Sequence, residues 1–247
     1  MAVAMSAKDI EQSVWKQAGF GELEGLKALV EVILFITLLF FMYECLILLI
    51  IYMQAGKDVN VQDERGFTPI CWAARNGHMN IINYLIELNV SLELPSFGGL
   101  TPLHHACNKN QEKIVSKLVK AGCNINCADD NGDTPLQFAS SRGVLNIVVE
   151  LLDNGATQIP NGQGVYPIHK AALFGQLAVV KRLFEKGADI NCTDSLGDTP
   201  LHYASKCNFH LVAKYLIDQG ARIDVSNQAG NTPKQVAGPL CLPLFAQ

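Results

Sequence analysis

The sequence predicts an all-α solenoid in which one turn and two helices recur along most of the chain. Three sets of residues return at steps of 33 or 32 residues, and a regular period of this length indicates a stack of identical supersecondary units. The first set is six prolines: Pro69, Pro102, Pro135, Pro167, Pro200 and Pro233. The second set consists of residues that end a predicted helix: Asn89, Gly122, Gly155, Gly187 and Gly220. The third set consists of apolar pairs in the predicted second helix: Ile81-Ile82, Ile114-Val115, Ile147-Val148, Val179-Val180 and Leu211-Val212.

Each unit begins with a turn and a first helix, as the unit around Pro200 illustrates. Asp194 and Gly197 predict a tight turn, because Asp hydrogen-bonds its own backbone and Gly accepts a positive φ. Thr199 and Pro200 then open a helix, since the N–H that proline lacks has no intrahelical partner in the first turn. That helix carries an apolar stripe: Leu201, Ala204 and Cys207.

A second helix completes the unit. Its apolar positions recur at helical spacing, and Gly220 is expected to end it in the left-handed conformation. Asn89 is the one residue other than glycine among these ends, and asparagine tolerates that conformation better than other residues do. The apolar positions of the second helix are Leu211, Val212, Tyr215 and Leu216.

The repeated strings resemble the ankyrin-repeat family. The string Thr-Pro-Leu-His-x-Ala occurs from Thr101 to Ala106 and again from Thr199 to Ala204, and a Gly-Ala-Asp-Ile-Asn ending runs from Gly187 to Asn191. The resemblance covers about residues 56–237 and implies a β-turn plus two antiparallel helices per repeat, stacked into a curved solenoid. It places five full repeats over 62–225, at 62–94, 95–127, 128–159, 160–192 and 193–225.

The two ends are predicted to differ from the repeats. Residues 1–31 are expected to form two capping helices, and residues 55–61 to complete that cap. Residues 226–247 read as a truncated sixth repeat followed by an apolar tail. Either the chain is a truncated form of a longer protein, or the tail folds back over the last repeat as a cap.

An apolar insert at 32–54 interrupts the cap. Val32 to Met53 is long enough to span a bilayer core of about 30 Å, and its apolar side chains outweigh the cost of Glu44. The alternative is a splicing product, either a retained intron or an alternative exon. The insert breaks the repeat count, is rich in residues with pyrimidine-containing codons, and begins with Val32 and ends with Gln54, whose codons can supply splice-site bases. Both interpretations stay open here.

Composition and motifs argue against several function classes. The net charge of -4 offers no basic field for nucleic acid. The eight cysteines include no CxxC pair, so we expect reduced thiols and a cytoplasmic protein, with a single-pass membrane protein as the alternative. The recurring His104, His169 and His202 are expected to hydrogen-bond neighbouring turns, and 129–133 to form a turn instead of a calcium loop. We expect no enzyme activity, no cofactor and no metal site.

The resemblance implies that a partner protein binds the turn tips and the concave side of the first helices. The protein is then a monomeric scaffold or adaptor. The turn-tip candidates are Glu64, Arg65, Phe97, Asp130, Asn131, Gln163, Ser195, Leu196 and Gln228. The concave candidates are Phe67, Arg75, Leu100, Lys109, Asp133, Arg142, Val165, Phe174, Asp198 and Lys206. The resemblance also implies hydroxylation by asparaginyl hydroxylases at Asn191 and Asn126.

Overall fold

The computed structural model describes residues 59–246, where the chain forms five successive helical hairpins. We call the first helix of each hairpin inner and the second outer; a connection of two or three residues joins them, so they run in opposite directions. The inner helices are α1 (Pro69–Asn76), α3 (Pro102–Asn108), α5 (Pro135–Arg142), α7 (Pro167–Leu173) and α9 (Pro200–Lys206). The outer helices are α2 (Met79–Glu87), α4 (Glu112–Lys120), α6 (Leu145–Asp153), α8 (Leu177–Glu185) and α10 (His210–Asp218).

The hairpins stack because each helix buries one apolar face. Inner helices pack against inner helices and outer against outer, with the core between the two layers. In α3 and α4 the core side chains are Leu103, Ile114, Val115 and Leu118, all buried. Fully burying one such side chain stabilises the fold by about 1.5–3 kcal/mol. The predicted helical periodicity is confirmed in these elements.

One of the repeated apolar positions of the outer helices does not lie in the core. Leu211 is 58% exposed, whereas Val212 and Ala213 are buried. Counted from the motif proline, Val212 and Ala213 occupy the twelfth and thirteenth positions, as Val179 and Val180 do. The pair that packs in α10 is therefore Val212 and Ala213.

Left-handed residues end both helices of each hairpin. Asn89 ends the first outer helix at φ 54°, and the four predicted glycines follow the other outer helices with φ between 84° and 94°. The structure adds an equivalent set after the inner helices, where Asn110 and Asn208 reach φ 59° and 62°. Asparagine occupies this region at a lower steric cost than other residues with a side chain. The set after the inner helices is Gly77, Asn110, Gly143, Gly175 and Asn208.

Main-chain hydrogen bonds connect the six turns into one ladder. Each turn after the first donates a backbone N–H to a carbonyl of the preceding turn, at 2.9 to 3.0 Å. Within residues 59–246 the turns form no named strand, and a single bridge joins Ser96 to Leu100. The N–H donors of the ladder are Phe97, Asp130, Gly162, Ser195 and Gln228.

The C-terminal tail folds back over the last hairpin. The residues after Pro233 form a turn, not a helix. Gly238 then donates its N–H to the Ser205 carbonyl at 2.9 Å, and Leu240 donates to Asn208 Oδ1 at 2.8 Å. A short 3-10 helix, Leu242–Phe245, follows and buries Phe245. The tail thus covers the end of α9, as the second alternative for it predicted.

The predicted capping helices at 1–31, the insert at 32–54 and residues 55–58 lie outside the described residues. Over 59–246, no helix has the length and apolarity that crossing a membrane requires. The membrane span predicted for Val32 to Met53 stays a prediction.

Candidate functional site

The motif histidines connect each inner helix to the following turn. In His104, His169 and His202, Nδ1 accepts a hydrogen bond at 3.1 Å from the backbone N–H three residues earlier. Nε2 therefore carries the proton and donates it, at 3.0 Å, to a carbonyl of the next turn. The acceptor carbonyls belong to Asp133, Asp198 and Asn231. The predicted structural role of these histidines is confirmed.

Glutamine makes equivalent hydrogen bonds where a repeat lacks the motif histidine. Gln137 Oε1 accepts from the Thr134 N–H at 2.7 Å, and its Nε2 donates to the Val165 carbonyl at 2.6 Å. Gln235 repeats the first of these bonds with Thr232 at 2.7 Å. Either side chain offers an acceptor and a donor about two bonds apart, so the stack tolerates both.

Burial keeps three histidines neutral. It lowers the pKa of His104 and of His169. It also lowers the pKa of His105 to about 4, with a further contribution from the positive charge of Arg75. The His105 Nε2 lies 2.8 Å from Ser96 Oγ. These rings are held between buried partners and offer no solvent-facing base.

Three cysteines are poor nucleophiles for the same reason. Burial raises the pKa of Cys123 to about 12, of Cys127 to about 11 and of Cys192 to about 12. These thiols stay protonated near neutral pH, and only the thiolate attacks or binds metal. Along residues 59–246, no group of three His, Cys, Asp or Glu side chains converges where a metal ion could be held.

The aspartates that open the turns bind their own backbone. Asp129 Oδ1 accepts from the N–H groups of Asn131 and Asp133, at 2.9 and 2.8 Å. Asp194 Oδ1 makes the equivalent pair of bonds at 2.9 and 2.8 Å. The interpretation of 129–133 as a turn is therefore confirmed, and the likeness to a calcium loop comes from turn geometry.

The predicted binding residues divide by exposure. Phe97 is 72% exposed at a turn tip, Leu196 is 60% exposed at another, and Phe174 is 51% exposed after α7. Ten polar candidates are also exposed: Glu64, Arg65, Lys109, Asp130, Asn131, Arg142, Gln163, Ser195, Lys206 and Gln228. Five candidates are half-buried: Phe67, Arg75, Leu100, Asp133 and Asp198.

Val165 does not belong to the surface. Its side chain is 8% exposed, although it was predicted on the concave side. Asp133 and Asp198 at the equivalent position carry charges that require water or polar partners, whereas an apolar valine gains free energy from burial. Val165 therefore contributes to packing.

Phe67 is the centre of an aromatic cluster in the first repeat. Its ring centroid lies 4.6 Å from those of Trp72 and His105. The Arg75 guanidinium lies 5.7 Å from the same centroid, within cation–π range. Phe67 therefore supports its neighbours and is less available to a partner than Phe97 or Phe174.

The sequence did not reveal the side-chain hydrogen bonds that hold the aspartates near the inner helices. Trp72 Nε1 donates to Asp63 Oδ2 at 2.8 Å, and the Tyr203 hydroxyl donates to Asp194 Oδ2 at 2.8 Å. Both pairs are separated by nine residues, a spacing the sequence does display. The side chains of Asn161 and Asn227 make similar bonds to Asp133 and Asp198, at 2.7 and 2.6 Å.

The two asparagines expected to be hydroxylated bridge successive repeats. Asn126 Oδ1 accepts from the Thr157 N–H at 2.8 Å, and its Nδ2 donates to the Gly155 carbonyl at 3.1 Å. Asn191 Oδ1 accepts from the Arg222 N–H at 2.9 Å. Both side chains are half-buried. Their hydroxylation stays a prediction.

Comparison with known protein families gives one match. The family model described as ankyrin repeats (3 copies) matches residues 34–129, 114–194 and 168–238, so the matched stretch begins within the apolar insert. No curated protein matches the chain. Matched residues make up most of the sequence, and the turns, paired helices and motif histidines described above agree with the match. The chain therefore belongs to the ankyrin-repeat family.

Proposed function

We propose that this protein is a non-enzymatic scaffold or adaptor that binds a segment of another protein along its turn tips and inner helices. Ankyrin repeats are in general protein–protein interaction modules. The fold alone does not specify a function, so the proposal depends on the surface of this chain.

The observation that carries the proposal is the set of large apolar side chains that stacking leaves in water. The motif histidines, the turn aspartates and the core residues are all occupied within the fold. Phe97, Phe174 and Leu196 are each more than half exposed on the turn tips and after an inner helix. Aromatic and large apolar residues supply most of the binding free energy at protein interfaces.

A peptide-library selection against the full-length chain tests the proposal. We expect Phe97→Ala, Phe174→Ala and Leu196→Ala together to weaken selected peptides by about tenfold or more, with little loss of stability because these side chains are exposed. The matched control is Leu145→Ala with Leu211→Ala, which removes exposed apolar side chains from outer helices. Equal loss of binding in both variants would show that the turn tips and inner helices are not the binding surface.

Attachment to a membrane is the second candidate, favoured by the apolar stretch from Val32 to Met53. On this proposal the span holds the repeats and their partner at a membrane; otherwise the protein is cytoplasmic. Carbonate extraction of cell membranes separates the two, because a spanning protein stays in the pellet. Transcripts that lack codons 32–54 would instead favour the splicing interpretation of the insert.

A further inference from the structure

Four cations and one phenylalanine lie at the C-terminal ends of the inner helices, one in each described repeat. Arg75, Arg142 and Lys206 belong to the last turns of α1, α5 and α9, and Lys109 directly follows α3. Phe174 takes this place after α7. Counted from the motif proline of each repeat, all five residues occupy the sixth or seventh position. We call these five residues the helix-end row.

The helix dipole does not account for the cations of the helix-end row. A cation near a helix C-terminus is stabilising, and this applies equally to inner and outer helices. Yet four of the five outer helices of residues 59–246 end in an acidic residue. These residues are Glu87, Asp153, Glu185 and Asp218. A basic residue at the helix end is thus commoner on the inner helices than on the outer ones, where Lys120 ends α4 and Arg182 lies in the last turn of α8.

The four cations have no acidic partner within the described residues. The ion pairs found over 59–246 involve Lys170, Arg182 and Lys186 instead. Arg142 donates from Nε and Nη2 to the neutral amide oxygen of Asn108, at 2.9 and 2.6 Å. Arg75 faces the Phe67 ring. Within residues 59–246, the positive charge of each of these cations is therefore not paired with a carboxylate.

The carboxylates nearest the inner helices are already engaged. Each accepts a side-chain hydrogen bond or ion pair of 2.6 to 3.0 Å. Exposed carboxylates such as Glu64 and Asp130 lie at the turn tips, at the other end of the inner helices, whereas Glu112 near the row accepts a hydrogen bond from Asn146 Nδ2 at 3.2 Å. A negative ligand is therefore attracted to the helix-end row and repelled from the tips. The engaged pairs are Asp63 with Trp72, Asp133 with Lys170, Asp194 with Tyr203, and Asp198 with Asn227.

We infer that the helix-end row binds an extended protein segment that carries an acidic side chain at about every third residue. Packed helices lie about 8–10 Å apart, so neighbouring members of the row are separated by about that distance. A chain in the polyproline II conformation rises about 3.1 Å per residue with three residues per turn, so three residues cover the step and every third side chain lies on the same face. An apolar side chain of the segment contacts Phe174. The recognised segment spans about thirteen residues, with acids facing Arg75, Lys109, Arg142 and Lys206.

This inference rests on the proposed function and adds the chemistry of the partner. Nucleic acid is the competing polyanion. The net charge of -4 and the carboxylates at the turn tips repel a long polyanion as it approaches the protein, whereas a short acidic peptide contacts only the helix-end row.

Fluorescence anisotropy with the full-length chain and labelled synthetic peptides tests the inference. The acidic peptide has Glu at every third position and Leu at the place of Phe174, and it is made in both chain directions. The comparison peptides replace Glu by Lys, by Gln or by Leu, or place the same Glu residues consecutively. We expect one acidic peptide to bind about tenfold tighter than all of these, and less tightly as salt is raised.

Charge-reversed variants assign the binding to the row. We expect Lys109→Glu with Arg142→Glu to weaken the acidic peptide by about tenfold or more. The matched control, Lys113→Glu with Lys120→Glu, makes the same charge change at exposed positions of α4 and should alter affinity less than about twofold. Equal weakening in both variants would mean that overall charge, not the row, attracts the peptide.

The remaining outcomes overturn the inference in distinguishable ways. Tighter binding of a single-stranded oligonucleotide of similar length identifies nucleic acid as the ligand. If the Leu peptide binds best and loses affinity in the Phe97, Phe174 and Leu196 variant, the partner is apolar and the proposed function stands. If no peptide of the set binds, acidic recognition is wrong, and the library selection decides separately whether the protein is a binding module.

Discussion

Replacing His169 by alanine should destabilise the repeats strongly, whereas replacing it by glutamine should not. The buried imidazole accepts from the Tyr166 N–H at 3.1 Å and donates to the Asp198 carbonyl at 3.0 Å. Alanine leaves both backbone groups without their partner, and each such buried group costs about 1–3 kcal/mol. The ring also packs edge-on against Tyr203, with centroids 5.5 Å apart, and its removal leaves a cavity. The expected loss is therefore about 2–6 kcal/mol.

The glutamine variant isolates the hydrogen bonds from the ring. Gln137 makes both bonds at the equivalent position, at 2.7 and 2.6 Å, so His169→Gln should cost only about 1 kcal/mol. Urea unfolding of the full-length variants, followed by far-UV circular dichroism, measures the difference. If alanine and glutamine reduce the free energy of unfolding equally, the two bonds do not stabilise the stack, and packing of the ring explains its presence.

Three further predictions concern stability. Ser140→Ala should raise the free energy of unfolding by about 1 kcal/mol, because the Ser140 hydroxyl is buried with no hydrogen-bond partner among residues 59–246. A lower melting temperature of the variant would show that the hydroxyl does have a partner. Lowering the pH from 6.5 towards about 4 should destabilise the fold by up to about 1.4 kcal/mol per pH unit for each of His104 and His105. Burial lowers the pKa of both side chains, so the unfolded chain binds protons that the folded chain does not bind. Urea midpoints that do not change over this pH range would contradict the prediction. Phe245→Ala should lower the melting temperature by several degrees, because the Phe245 side chain is buried. The control Leu242→Ala, at an exposed position of the same 3-10 helix, should change the melting temperature by no more than about one degree. Equal effects would mean that the tail does not cap the last repeat.

The sequence predicted most of the fold because the repeat motif uses local chemistry. Counting from the prolines located the start of every inner helix from Pro69 to Pro200, since proline at the first helical position depends only on its neighbours. The apolar pairs were less reliable, because Leu211 continues their spacing and yet is exposed beside the core position of Val212. Asn110 and Asn208 were not predicted to end the inner helices, because asparagine is equally common in ordinary loops.

The binding surface was harder to predict, because exposure depends on neighbours from other repeats. Phe67 and Phe97 lie near successive turns, yet one is stacked between two rings and the other stands in water. Asp133 and Asp198 resembled surface charges until their bonds to Asn161 and Asn227 appeared, about 30 residues away along the chain. Such pairings are a property of the stack and cannot be read from one repeat.

The ladder between the turns has a consequence for how this protein can change. Its hydrogen bonds join main-chain atoms only, from the Phe97 N–H near the start to the Gln228 N–H at the end. Exposed tip side chains such as those of Phe97 and Leu196 contribute little to folding, so substitutions of these residues are nearly neutral for stability. Mutations can therefore accumulate at the tips and redirect the protein to a new partner while the same solenoid persists. Evolution and protein engineering have the same freedom at these positions.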